Sequence, residues 1–332
     1  MYSSSSDTEQ PPTLPLEVFS HIFSFVEEKR DLLALSGVSY TFRKLAYGQL
    51  REANLSKLDT GRRLKIKSKW MKEKQHRLTD SDGIHRMDLL VFFLNFFREH
   101  CPRLQRLTLP QLTEDHHMAF LPSRRLSTLS LAYSHVGDQG AEELLWKRSK
   151  RTGSEKKRFK FLSSLNLRST SITSVGLGYL AGYSTLKELN LRYLSISDEA
   201  LAVLPGSLES LNLSNTAITD KGILQLSQSA PKLKKLSLAL TPITGVALSH
   251  LAAFPDLQHL NISNTGLKGV DFMSHWPNLR QHEESEAEGD ASPPPPFLLN
   301  HLNVRGLTRV PPPVWDLLRA QQHRLETLKE GR

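Results

Sequence analysis

Leu186-Lys187-Glu188-Leu189-Asn190-Leu191 recurs 22 residues later as Leu208-Glu209-Ser210-Leu211-Asn212-Leu213, and this Leu-x-x-Leu-x-Leu spacing decides the fold. The same spacing sets Leu104, Leu107 and Leu109; Leu126, Leu129 and Leu131; Leu162, Leu165 and Leu167; Leu233, Leu236 and Leu238; and Leu257, Leu260 and Ile262, with Leu302 and Val304 closing a further copy. Each Leu-x-Leu reads as a short strand, its two leucines facing inward and the residue between them facing the other way. The start-to-start steps are 22, 36, 24, 22, 25 and 24 residues. All but the second fall within the ~20–29 residues of a strand-plus-helix repeat unit.

The 36-residue step contains Lys147 to Lys160, and removing those 14 residues restores a step of 22. A second insert, 280–299, is acidic at Glu283, Glu284, Glu286, Glu288 and Asp290 and then proline-rich at Pro293 to Pro296. Such composition does not pack a core. Deleting it joins Leu279 to Asn300-His301-Leu302-Asn303-Val304; in the alternative register Leu299, Leu302 and Val304 begin a separate repeat. The second half of a unit has helical spacing, at Ile172 to Leu180, Ile196 to Leu204, Ile218 to Leu226 and Ile243 to Leu251, with Thr219 or Asp220 as N-cap of the third. Gly176, Gly222 and Gly245 predict a close approach of backbone to backbone near the first helical turn.

One unit cannot bury its leucines alone, so seven or more stack into a single core. The expected architecture is α/β, a curved leucine-rich-repeat solenoid over residues 85–332 with inner parallel strands and outer helices. Met87 to Phe97, apolar on nearly every face, predicts a buried N-terminal cap helix. Val314, Trp315, Leu317 and Leu318, following Pro311-Pro312-Pro313, predict a C-terminal cap, with Leu325 and Leu328 in a last partial strand.

The chain has 332 residues, 39% hydrophobic and 23% charged, enough for one large domain or two ordinary ones. Its longest strongly apolar run, Met87 to Phe97, is 11 residues, against the ~18 of a bilayer span. The polar start Met1-Tyr2-Ser3-Ser4 lacks the basic and apolar parts of a secretory signal. A single cysteine, Cys101, permits neither an internal disulfide nor a thiolate zinc site. A reducing compartment, cytoplasmic or nuclear, is expected. The net charge of +9 is local: residues 56–80 carry nine Lys/Arg against three Asp/Glu and residues 147–160 eight against one, leaving the rest at −4. That is two basic patches on a mildly acidic body rather than a basic nucleic-acid surface. With Trp70 as its one aromatic where single-strand binding uses several, the stretch reads as part of a solvated linker, 51–84, in preference to a nucleic-acid site.

Residues 14 to 47, behind an N-terminus (1–12) expected to be disordered, differ from everything that follows. The text runs Leu14-Pro15-Leu16-Glu17-Val18, Ile22-Phe23-Ser24-Phe25-Val26, Asp31-Leu32-Leu33-Ala34-Leu35 and Val38-Ser39-Tyr40-Thr41-Phe42-Arg43-Lys44-Leu45-Ala46. It reads as a helix with Pro15 in its first turn and two shorter amphipathic helices, Asp31 capping the second. So short a segment holds too little apolar surface to be stable alone. It shares that surface with a partner, or it caps the repeat array.

This segment (13–50) closely resembles the F-box, with Val26, Ser39 and Phe42 where Leu, Cys and Trp are usual. With repeats behind it, the arrangement resembles the F-box and leucine-rich-repeat class of proteins. The resemblance covers roughly a tenth of the chain. It implies a substrate receptor of a Skp1-cullin-F-box ubiquitin ligase, in which Leu14, Pro15, Ile22, Phe23, Leu32, Leu35 and Val38 contact Skp1 or support that contact. The repeats would hold a protein target near a ubiquitin-loaded enzyme, which is tethering and needs no catalytic group. The alternative is a non-catalytic repeat scaffold that acts without a cullin.

Target binding is expected on the concave sheet face. Its residues are Ser130, Asn166, Asn190, Asn212, Ser237, Asn261 and Asn303, and one step further Arg168, Arg192, Ser214, Ala239, Ser263 and Arg305. The asparagine column also has a structural reading, as polar side chains that bond their neighbours and solvate the array. Arg168 and Arg192, with Tyr193 beside them, either clamp an acidic or phosphorylated segment or are solvated surface charges. No cofactor or metal is expected: phosphate-loop, His-Glu-x-x-His and Gly-x-Ser-x-Gly patterns are missing from the sequence, and the adjacent His116 and His117 read as a loop pair whose side chains point apart.

Overall fold

The computed structural model describes residues 51–56, 89–111, 113–122, 125–148, 155–268, 271, 299–306 and 327–329. The expectations placed on 1–50, on the acidic insert as far as 298 and on Val314 to Leu318 lie outside the described residues. In chain order the elements are β1 (Glu52–Asn54), α1 (Leu89–His100), β2 (Arg106–Thr108), β3 (Thr128–Ser130), α2 (Asp138–Leu145), β4 (Trp146–Arg148), β5 (Glu155–Lys157), β6 (Ser164–Asn166), α3 (Ser174–Gly178), β7 (Glu188–Asn190), β8 (Ser210–Asn212), α4 (Asp220–Ser229), β9 (Lys235–Ser237), α5 (Val246–Leu251), β10 (His259–Asn261), β11 (His301–Asn303) and β12 (Thr327–Lys329). Among the described residues, two 3-10 turns, Asp115–Phe120 and Asp198–Val203, stand where other repeats have helices.

Among the described residues, ten strands form one parallel sheet in the order β1-β2-β3-β6-β7-β8-β9-β10-β11-β12. The repeat leucines are in register across it, Leu129 with Leu165, Leu165 with Leu189, Leu189 with Leu211, and Leu211 with Leu236. None of these five is more than 2% exposed. Full burial of each contributes ~1.5–3 kcal/mol, so the stack is stabilised repeat upon repeat. The expected cap helix is α1, which buries Leu90, Leu94 and Phe97. The expected last strand is β12, with Leu328 opposite Leu302.

Among the repeats without an insert, helix type follows repeat length. The two repeats with 22-residue steps, starting at Leu104 and Leu186, carry the 3-10 turns, whereas the 24- and 25-residue repeats carry α3, α4 and α5. A 3-10 turn rises ~2.0 Å per residue against ~1.5 Å in an α-helix, so it covers the return path with fewer residues.

Four expectations are corrected. The array starts inside the supposed linker: β1 pairs with β2, Ala53 stands opposite Leu107, and Ala53 and Leu55 are buried. An alanine at the leucine position hides this repeat from a leucine scan. Leu299 belongs to the array and not to the acidic insert, since it is buried and the N–H groups of Asn300 and His301 donate to the Gln258 carbonyl as those of Gln258 and His259 donate to Lys234. The basic insert 147–160, expected as an interruption of the array, is tied to it at its described ends. Its ends form the antiparallel pair β4–β5, Phe159 is in the core, and Arg158 donates to the carbonyls of Met118 (2.5 Å), Glu143 (2.9 Å), Ala119 and Leu121 (both 3.0 Å).

The fourth correction concerns the glycines. A Cβ at Gly140, Gly176 or Gly222 would collide with a carboxylate oxygen of Asp115, Asp138 or Asp198, one repeat earlier, and not with backbone. Gly245 differs: it occupies the position that Asp198 and Asp220 hold in their repeats and lies against Asp271 of the next one. The aspartates serve as caps across the repeat boundary. Thr173 donates its N–H (2.7 Å) and its hydroxyl (2.6 Å) to Asp138; Thr219 does so to Asp198 (2.8 and 2.6 Å), and Thr244 to Asp220 (2.8 and 2.5 Å). Thr219 is therefore the N-cap residue of α4, but its own side chain caps nothing.

Candidate functional site: the loop edge of the sheet face

Each repeat leaves its strand by a fixed turn. The asparagine between the two strand leucines accepts the N–H two residues on: Asn166 from Arg168 (3.1 Å), Asn190 from Arg192 (3.1 Å), Asn212 from Ser214 (3.0 Å), Asn261 from Ser263 (3.1 Å) and Asn303 from Arg305 (3.2 Å). This is the Asx-turn chemistry that short amides favour. It commits the Oδ1 atoms of the asparagine column to the backbone. The following residue takes a left-handed conformation at Tyr133, Ser169, Tyr193, Asn215, Leu240, Asn264 and Gly306. That geometry aims its N–H at the next repeat, Tyr133 to the Arg168 carbonyl at 2.8 Å and Tyr193 to that of Ser214 at 3.2 Å.

Left-handed backbone is easy for Gly and tolerable for Asn, and it is disfavoured for a bulky residue. Tyr133 and Tyr193 nevertheless occupy it, 44% and 39% exposed. Between them lies Arg168, its guanidinium carbon 4.8 Å from the Tyr133 ring centre and 5.3 Å from that of Tyr193. Arg192 sits 4.7 Å from the Tyr193 ring and donates to its hydroxyl at 2.9 Å. Tyr133, Arg168, Tyr193 and Arg192 thus make one aromatic–cationic row across β3, β6 and β7. The buried Nε atoms of both arginines have no hydrogen-bond partner. Among the described residues, no carboxylate lies within ion-pair distance of either guanidinium. Beside Tyr193 an open groove runs past Ser195, Ser197, Asn215 and Thr216, with Asp198 and Glu199 also in its lining.

Of the residues singled out from sequence, Arg168, Arg192 and Tyr193 come together with Asn166 and Asn190 at their bases. Arg305 does not join them: β8, β9 and β10 intervene, a separation of four strand spacings or ~19 Å from Arg192. Tyr133 was missed. Its signal was Leu131-Ala132-Tyr133 standing in register with Leu191-Arg192-Tyr193. Also missed was the strand residue before each leucine, which shares the sheet face and brings His259 and His301 into a stacked pair with centroids 4.2 Å apart.

Other titratable groups hold the frame. Lys187 (2.8 Å) and Lys234 (3.0 Å) flank Glu209, and their ammonium groups hold its carboxyl down at about 2. Burial pushes the Cys101 thiol far up, so it stays protonated. His117 closes a capping turn by accepting the Glu114 N–H at Nδ1 (2.9 Å), and His116 faces Glu114 at 3.4 Å. The two rings do not point apart: their centroids are 3.9 Å from each other, because the pair sits on a 3-10 turn.

Two family models match the chain: one described as F-box-like over residues 12–51, and one described as Leucine Rich repeat over residues 207–227. An F-box-like match at the N-terminal side followed by a leucine-rich-repeat match is the order that matches an F-box and leucine-rich-repeat family. Both parts are interaction modules, and no enzyme family is indicated. No curated protein matches the chain. Among solved structures it is similar to the mouse RP105/MD-1 complex, at 16% identity and a TM-score of 0.42, covering 67% of this chain but only 33% of that one. It is also similar to an internalin C2 from Listeria monocytogenes, at 18% identity and a TM-score of 0.42, covering 75% of this chain and 88% of that one.

Proposed function

We propose that the chain is the substrate-recognition subunit of a Skp1-cullin-F-box ubiquitin ligase. The supporting observation is the F-box-like match at residues 12–51 directly ahead of β1, the first strand of the repeat array. The F-box grips Skp1 through Leu14, Pro15, Ile22, Phe23, Leu32, Leu35 and Val38. The loop edge and sheet face of the repeats hold a protein target. The chain raises the effective concentration of the target's lysines at the enzyme and performs no bond chemistry itself.

Co-expression with Skp1 tests this reading. Wild type should co-purify as a stoichiometric complex that also recruits a cullin, and the combined Leu14→Ala, Pro15→Ala, Ile22→Ala variant should lose Skp1 while keeping its repeat-array fold by circular dichroism. A folded wild type that ignores Skp1 would leave a scaffold acting without a cullin.

A further inference from the structure

Both inserts rejoin the sheet along the same edge, opposite the loop edge that carries Tyr193. The basic insert ends at Lys160, three residues before Ser163, and the acidic one, shortened by the placement of Leu299, ends two residues before Asn300. Ser163 and Asn300 belong to one hydrogen-bonded column. The N–H of Lys187 donates to the Ser163 carbonyl, that of Glu209 to Lys187, that of Lys234 to Glu209, that of Gln258 to Lys234 and that of Asn300 to Gln258, each at 2.8 Å. Five steps of ~4.8 Å set the two points of re-entry about 24 Å apart.

The edge between them is basic. Lys156 and Lys160 on the insert, Lys187 ahead of β7, and Lys232 and Lys234 ahead of β9 are exposed. Against them, the strand-entry segments 182–187, 205–209, 231–234 and 255–258 carry two carboxylates, Glu209 and Asp256. Glu209 is shared by Lys187 (2.8 Å) and Lys234 (3.0 Å). Lys156, Lys160 and Lys232 make no ion pair among the described residues. Like charges gathered on one edge favour an extended, acidic occupant.

The chain supplies one. Glu283, Glu284, Glu286, Glu288 and Asp290 form a run with no Lys or Arg from there to Leu299. Ten residues lead from Asp290 to Asn300, and a chain spans at most ~3.3–3.6 Å per residue, so the run reaches ~33 Å along the edge. Lys234 stands two column steps from Asn300, about 10 Å, and Ser163 five, about 24 Å. Twelve residues from Asp271 to Glu283 cover the way back with length to spare. Attachment at both ends gives the run a local concentration of about a millimolar, so individually weak surface ion pairs suffice. We propose that the run Glu283 to Asp290 docks on this edge over Lys156, Lys160, Lys187, Lys232 and Lys234, an intramolecular contact that covers the basic edge against other polyanions. It goes beyond the ligase reading and does not rest on it.

The full-length chain is treated at low salt with a carbodiimide, which joins carboxylates to amines in direct contact, and the linked peptides are identified by mass spectrometry. In the monomer band, peptides of the acidic run should be joined to those bearing the edge lysines, and the links should be lost at about 1 M salt, where the screening length is ~3 Å. A second readout is binding of a fluorescent heparin fragment. Glu283→Gln, Glu284→Gln, Glu286→Gln, Glu288→Gln and Asp290→Asn together should tighten it about tenfold, the factor expected if the edge is free about a tenth of the time in wild type, at an unchanged melting temperature. Adding Lys156→Gln, Lys160→Gln and Lys232→Gln should remove that gain. Absence of the links would overturn the proposal, and links confined to a dimer band would assign the contact to a second copy and overturn it equally. Unchanged heparin affinity in the first variant would also overturn it, as would a gain that persists in full in the combined variant, since that would reflect net charge and not an uncovered edge.

Discussion

An alanine at Gly222 would drive its Cβ into Asp198 Oδ1 and to within 2.8 Å of Ile218 Cγ2. Helix propensity favours that change by about 1 kcal/mol. The cross-repeat cap opposes it, because Asp198 is already held by two bonds from Thr219 and has nowhere to go. Gly222→Ala should therefore lower stability by about 1–3 kcal/mol in denaturant melts. Gly178→Ala, with open space around the position, should be neutral or slightly stabilising. The sequence announced that these glycines mattered and misassigned the reason. A spacing pattern shows that a side chain is excluded, whereas the excluding atom comes from the previous repeat, 24 residues back for Gly222 and Asp198.

At the scale of elements, the 36-residue step was legible as a basic insertion, but not as one packed into the array. Eight basic residues in fourteen look like a surface loop, yet Arg158 spends its donors on four main-chain carbonyls around the Asp115–Phe120 turn and the end of α2. Burial depresses its pKa, and the nearby Glu143 carboxylate partly offsets that. Lys157 and Trp146 complete the attachment, donating to the carbonyls of Gly182 and Tyr179. Arg158→Ala should cost about 2–3 kcal/mol, the scale of hydrogen bonds to a charged group. Arg158→Lys should recover only part of that, since one ammonium cannot span carbonyls on two elements; thermal melts of the three proteins check both statements.

Across the whole molecule, each repeat is stabilised by its neighbours, so the ends of the array decide where it begins and stops. β1 covers the edge of β2, with the N–H groups of Gln105 and Arg106 donating to the Arg51 carbonyl and that of Leu55 to Thr108. Ala53→Asp in the full chain would place a charge among Leu55 and Leu107 and uncover that edge. The expected outcome is a lower melting temperature and aggregation detected by light scattering, since open sheet edges pair with other chains.

The sequence alone determined the repeat period, the parallel strand stack and the capping helix α1, because each of these is written in local spacing of apolar residues, and it carried the F-box-like segment as a resemblance to a family motif. The same locality revealed Arg168, Arg192 and Tyr193 as candidates. Only the tertiary structure decided that Ala53 and Leu299 belong to the core, that Arg158 is an anchor, that the asparagines serve the turn, and that Tyr133 joins the two arginines while Arg305 stands apart. Those facts depend on which atoms of successive repeats meet across ~5 Å strand spacings, and a one-dimensional pattern records the period of that stacking without recording its contacts.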